Sequence, residues 1–154
     1  MKSVLLFLFI VATSFSAQAA TPQSYVGKPP QLLLKSAPEF AKAYRQATHE
    51  VDLPVWTKRL AAGQPAEIVE IGGNQQVLSS ACGKGGCLDE RIYILFDPAT
   101  KTATGFFFLP PADDDPGDSR TAFSQWLGKP GKDASDFLLE RAINDARSLN
   151  KPNY

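Results

Sequence analysis

The residues best suited to chemistry are two cysteines that enclose a ring of four residues, and the whole segment reads Cys82, Gly83, Lys84, Gly85, Gly86, Cys87. In an exported chain, a lone pair of cysteines predicts one disulfide. Redox chemistry is disfavoured, because the C-x-x-C spacing that tunes a reactive thiol is missing. Two thiolates do not complete a tetrahedral zinc site, and the single histidine lies far away in the sequence. The pattern therefore indicates a stiffened loop that presents Lys84, or, in the simpler alternative, a staple on a hairpin turn.

Other catalytic or ligand-binding patterns find little support in the sequence. His49 falls in a predicted surface helix with no nucleophile nearby, and Asp89 and Glu90 are adjacent, so along a strand they point to opposite faces. The run Asp113, Asp114, Asp115 lacks the D-x-D-x-D-G register of a calcium loop and is interpreted as solvated. The sequence thus predicts a binding protein without metal or cofactor, and not an enzyme.

The N-terminal residues have the features of a secretory signal peptide. Lys2 supplies a positive charge, residues 4–15 are mostly apolar, and Ala17-Gln18-Ala19 matches the small-x-small pattern of a cleavage site. The apolar run is shorter than the roughly 20 residues that span a bilayer. We therefore expect residues 1–19 to be a signal peptide, cleaved before Ala20, and residues 20–154 to form one domain in the periplasm.

The charge of the chain limits the classes of partner. The sequence contains 16 basic and 16 acidic side chains and no polybasic run. Nucleic acids and anionic membranes are therefore disfavoured as partners, because both attract clustered positive charge. A protein partner remains, and a homodimer is left open.

Helices are predicted near both ends of the mature chain. Ser36-Ala37-Pro38-Glu39 has the spacing of a capping box, and a stripe of apolar residues follows at helical spacing: Phe40, Ala43, Tyr44, Ala47. Residues 53–56 predict a short second helix, and residues 135–149 a final amphipathic one. Residues 21–31, rich in proline, are expected to be extended. Trp56 and Trp126 are both expected in the core.

The middle of the chain predicts an antiparallel sheet. Four β-prone runs cover residues 67–71, 75–81, 91–96 and 102–109, with a turn signal at Gly72-Gly73-Asn74 and a possible bulge at Gly105. Consecutive strands joined by short turns pair antiparallel, which places the cysteine ring at the tip between the second and third runs. Residues 123–127 add a short apolar element before the final helix. The fold class is therefore α+β.

Several of these motifs together resemble the Ivy-type inhibitors of vertebrate (c-type) lysozyme, which act in the periplasm of Gram-negative bacteria. The matching segments are Phe40 to Tyr44, Leu53-Pro54-Val55-Trp56, Ser80-Ala81-Cys82 with Cys87, the strand 91–96, Thr104-Gly105-Phe106 and the late Trp126. The resemblance implies three layers, with a five-stranded antiparallel sheet between helices. It also implies an inhibitory loop, Cys-Lys-Pro-His-Asp-Cys in the family, whose histidine enters the lysozyme cleft between two catalytic carboxylates.

The inhibitory loop of this sequence differs from that of the family. Gly85 occupies the histidine position, Gly86 the aspartate position and Lys84 the proline position. We therefore expect Lys84 to be the contact with the carboxylates of a target, and inhibition of c-type lysozyme to be weaker than the family norm. Two functions stay open: an inhibitor of a c-type lysozyme or related peptidoglycan-cleaving enzyme, and an Ivy-fold paralogue that serves the envelope without inhibiting lysozyme.

Overall fold

The computed structural model describes residues 21–84, 86–109 and 123–149. Its centre is one five-stranded antiparallel sheet in which sequential strands are neighbours, so the order is β1-β2-β3-β4-β5. The strands are β1 Ala62–Ile71, β2 Asn74–Gly83, β3 Gly86–Asp97, β4 Thr102–Leu109 and β5 Phe123–Leu127. The predicted α+β class with a central antiparallel sheet is confirmed.

Helices cover both faces of this sheet. Helices α1 Pro30–Ser36 and α2 Pro38–Thr48 lie on one face, and α3 Lys132–Leu149 lies on the other. The alternation along β3 divides its side chains between two cores. Ile94 and Phe96 pack with α2, whereas Tyr93 and Leu95 pack with α3. The molecule therefore has three layers.

Helix α2 carries the apolar stripe that its sequence predicts. Phe40, Ala43, Tyr44 and Ala47 are all buried against the sheet. The capping box is wrong, however, because the N-cap residue is Ala37 and makes no side-chain hydrogen bond. Helix α1 ends at Ser36, immediately before this cap, so the serine belongs to the preceding helix and does not cap α2.

Helix α1 contradicts the extended segment expected through residue 31. Pro29 is its N-cap and Pro30 its first residue, a position that tolerates proline because the missing N–H would have no partner inside the helix. Pro30 and Leu33 are buried, and the Ser36 hydroxyl donates back to the Leu32 carbonyl oxygen at 2.9 Å. A composition that resembles a loop is thus held helical by burial of one face.

Two glycine predictions have different outcomes. Gly72 and Gly73 have φ of 56° and 79° and form the tight turn between β1 and β2, as predicted. Gly105 is not a bulge, because it pairs in register with Ile94. A Cβ there would clash with the Tyr93 carbonyl oxygen and lie 2.9 Å from Leu127 Cδ1. Close approach of three strands, rather than a bulge, explains this glycine.

Trp126 does not lie in the core as expected. It belongs to the edge strand β5, is 38% exposed, and packs on Phe106 with ring centroids 4.4 Å apart. The short apolar element is therefore a strand that covers the sheet edge, not an anchor inside it. The N-terminal segment with the predicted signal peptide and the loop with the three aspartates lie outside the described residues.

Candidate binding site at the disulfide-closed hairpin

The cysteine ring forms the tip of the β2–β3 hairpin, as predicted. Cys82 and Cys87 are bonded to each other with their Cα atoms 4.9 Å apart. Gly83 and Gly86 face each other, and Gly86 has φ of 99°, a conformation that favours glycine. Lys84 is exposed at the turn that follows. Of the ring residues, Gly85 lies outside the described ones.

The base of the ring is irregular. Gly83 pairs with Gly86, but the residue before it in β2, Cys82, pairs with Arg91. One step along β2 therefore corresponds to five residues of β3, and residues 87–90 bulge out of the ladder. Strand β3 starts earlier than the predicted residue 91 because this bulge joins the ring to the regular strand.

Trp56 braces this bulge from the α2 side of the sheet. Its indole N–H donates to the Glu90 carboxylate, and its ring packs on Phe107 with centroids 6.5 Å apart. A Cβ on Gly83 would lie 3.3 Å from Trp56 Nε1 and 2.9 Å from Glu90 Oε2. The ring backbone thus touches this pair closely. Trp56, half-buried at the margin of the core, contributes partly to packing, as expected, and partly to holding the ring.

Arg91 holds the same bulge from the opposite side. Its Nε donates to the Cys87 carbonyl oxygen, and its Nη1 donates to the Tyr93 hydroxyl at 3.2 Å. Nη1 also lies 3.7 Å from an Asp145 carboxylate oxygen on α3. The residue is only 5% exposed, and a buried charge of this kind is tolerated when it is paired and hydrogen-bonded. The ring is thereby tied to the third layer.

The polar network continues from Asp145 to the surface. The Tyr93 hydroxyl donates to Asp145 at 3.1 Å, and Arg141 bridges Asp145 at 3.2 Å and Glu67 at 2.9 Å. Burial raises the pKa of Tyr93 to about 12. For Arg141, burial favours a lower pKa, but the carboxylates of Asp145 and Glu67 outweigh it, so its pKa is raised.

These supporting residues were not predicted from the sequence as part of the site. Arg91 did offer a signal, since strand alternation puts this charge on the same face as Tyr93 and Leu95, which are buried. Arg141 and Asp145 show the i,i+4 spacing of a helical ion pair. Nothing in the sequence connects either signal to the ring.

Within the described residues, neither His49 nor a metal site nor a membrane-spanning helix adds to this site. His49 is exposed at the C-terminal end of α2. Among residues 21–84, 86–109 and 123–149, no group of three or more metal-ligating side chains occurs. Within the same part of the chain, no helix is long and apolar enough to cross a bilayer.

Comparison with known proteins yields no match, either to a protein-family model or to a curated sequence. The hypothesis of an Ivy-type protein therefore depends on the motifs and on the arrangement of the fold. Two of those motifs meet in space: Trp56 from the Leu-Pro-Val-Trp segment contacts the bulge that carries Cys87. The geometry describes a small disulfide-closed loop at a hairpin tip, whose base is contacted by side chains on both faces of the sheet.

Proposed function

We propose that this protein is a periplasmic inhibitor that binds a c-type lysozyme, or a related peptidoglycan-cleaving enzyme, through its disulfide-closed ring. The observation that carries the proposal is the ring itself: it closes the tip of a hairpin, and Trp56 and Arg91 support its base from opposite faces of the sheet. A loop that is already ordered loses little conformational entropy when it binds, which favours affinity.

Lys84 supplies the chemistry of contact in this proposal. It is exposed at the turn, next to glycines that add no side chains of their own. The active cleft of a lysozyme presents carboxylates, and an ammonium group is attracted to them as a point charge. An ammonium on a flexible stem replaces the family's planar imidazole, so we expect weaker inhibition than in Ivy-type proteins. Loss of a central contact commonly reduces affinity about thirtyfold.

An apolar contact through Val55 would add to this charge. Val55 precedes Trp56 in the sequence and is 78% exposed. An exposed apolar side chain is a natural element of a protein interface, where apolar contacts surround a few anchoring groups.

The test is an inhibition assay with c-type lysozyme, supported by capture on the immobilised enzyme. Lys84→Ala should weaken inhibition about tenfold, whereas Lys35→Ala, which removes another exposed charge, from α1, should leave it unchanged. Gly85→His should strengthen inhibition by supplying an imidazole. Gly86→Asp is a poor addition, because the φ of 99° at Gly86 would strain any other residue.

Salt dependence separates charge insertion from other modes of contact. Between roughly 0.02 and 0.2 M salt the screening length falls from about 20 Å to about 7 Å, so inhibition by the wild-type chain should weaken. An inhibition constant that changes neither with salt nor with Lys84→Ala contradicts the mechanism. A chain that neither binds c-type lysozyme nor slows its turnover contradicts the proposed function and favours the envelope paralogue.

Export is tested separately from inhibition. We expect the periplasmic protein to begin at Ala20 and to contain no alkylatable thiol until it is reduced. Intact mass before and after reduction and alkylation measures both features. A mass that includes residues 1–19 contradicts signal cleavage.

A further inference from the structure

A cleft of about 380 Å³ lies on the α3 side of the sheet, directly beside the disulfide. Strands β1, β2 and β3 and helix α3 all contribute to its wall, including Glu67, Arg91, Arg141, Asp145 and Ser148. Its volume falls in the range of sites for small molecules, roughly 300 to 1,000 Å³. The cleft adjoins the ring but faces the helix layer, so it is a different surface from the exposed turn at Lys84.

Arg91 lines this cleft and has one hydrogen-bond donor without a partner. Its Nε and Nη1 have partners, but Nη2 has none within the described chain, although less than 1 Å² of this atom is exposed. Leaving a buried charged donor unpaired is costly, because it has lost its hydrogen bonds to water without gaining others. An acceptor in the cleft would reach this atom after a small turn of the Arg91 guanidinium, and a carboxylate oxygen forms a strong, charge-assisted hydrogen bond to a guanidinium.

The surrounding charges select among carboxylate ligands. Arg91 and Arg141 are balanced by Glu67 and Asp145, so the four side chains carry no net charge. A simple anion would gain from Arg91 but be repelled by the two carboxylates. A ligand that places an ammonium group beside those carboxylates meets complementary charge at both ends.

We propose that this cleft binds a small zwitterion of the amino-acid type. Its carboxylate accepts from Arg91 Nη2, and its ammonium group donates to the carboxylate oxygens of Glu67 and Asp145. The exposed lining residues, including Ser148 on α3, mark the side from which the ligand enters. This binding does not depend on the proposed inhibition of lysozyme.

The experiment is an NMR titration of the full mature chain that follows the side-chain N–H signals of Arg91. The probes are alanine in both enantiomers, acetate with the carboxylate alone, and ethylammonium with the cation alone. Alanine should shift the Arg91 signals saturably, with a Kd at least tenfold lower than that of acetate or ethylammonium. Glu67→Gln should weaken alanine binding about tenfold but should not weaken acetate binding, because it removes both a partner of the ammonium group and a charge that repels acetate.

A second variant tests the location without changing the arginine. Ser148→Trp should fill the mouth of the cleft and abolish alanine binding, while Arg147→Trp, one residue away on α3 and outside the cleft wall, should not. Thermal unfolding confirms that both variants are folded. The proposal is overturned if alanine causes no saturable shift, if acetate binds as tightly as alanine, or if Ser148→Trp binds alanine like the wild type.

Discussion

Removing the disulfide tests whether the ring is held by covalent closure or by its supporting contacts. In the double variant Cys82→Ala/Cys87→Ala, the closed loop, with cysteines five positions apart, is lost. On the chain-entropy model a ring this small stabilises the fold by about 2 kcal/mol. The hydrogen bonds to the Cys87 carbonyl oxygen and to Glu90 involve no sulfur, so they should survive. We therefore expect a total loss of about 2 to 3 kcal/mol.

Urea unfolding measures this loss, and thermal unfolding should show a Tm lower by roughly 5 to 10 °C. The wild-type chain under a reducing agent is the matched control, because it keeps both sulfurs. Amide hydrogen exchange at Gly83 and Lys84 should accelerate, and the proposed inhibition of lysozyme should weaken as the loop loses order. A loss above about 4 kcal/mol refutes the reasoning, since the contacts of Arg91 and Trp56 would then depend on the bridge. A loss below about 0.5 kcal/mol also refutes it, because covalent closure would then contribute almost nothing to the free energy of unfolding.

Three further predictions concern the framework. Gly105→Ala should destabilise the fold by about 2 to 3 kcal/mol in urea unfolding, because its Cβ meets the neighbouring strand. Gly131→Ala is the control: its Cβ meets nothing within 4 Å, so stability should change by less than about 1 kcal/mol. Equal effects of the two substitutions would contradict the close approach at Gly105. Burial raises the pKa of Tyr44 to about 12, so on raising the pH the unfolded chain loses this proton before the folded chain does. The contribution of Tyr44 to the free energy of unfolding is therefore full below about pH 10 and should fall by roughly 3 kcal/mol as the pH rises to about 12. Tyr44→Phe should lack that part of the alkaline loss, and a curve of free energy against pH parallel to the wild type would show the reasoning to be wrong. Trp126→Ala should cost less than the 3–5 kcal/mol or so typical of a buried aromatic, because the side chain is 38% exposed, and a loss in that range would place it in the core after all.

Much of the framework follows from local sequence. The apolar stripe of α2 follows the helical period, because a helix places residues three and four apart on one face. The turn at Gly72 and Gly73 follows from two adjacent glycines, and strand 102–109 from a run of β-prone residues. The position of the cysteine ring at a hairpin tip follows from its place between two consecutive predicted strands.

The support of that ring was decided by tertiary structure. Trp56 meets Glu90, and Arg91 meets Asp145, across 34 and 54 positions of sequence. Helix α1 forms despite its prolines because one face is buried, and Gly105 is required by a backbone that arrives from another strand. By itself, the sequence determined helices α2 and α3, the central part of strands β1 to β4, and where the loop closes. Which side chains hold the loop, and which charge is left without a partner, depends on how the three layers pack, because contacts between distant residues leave no periodic trace in the chain.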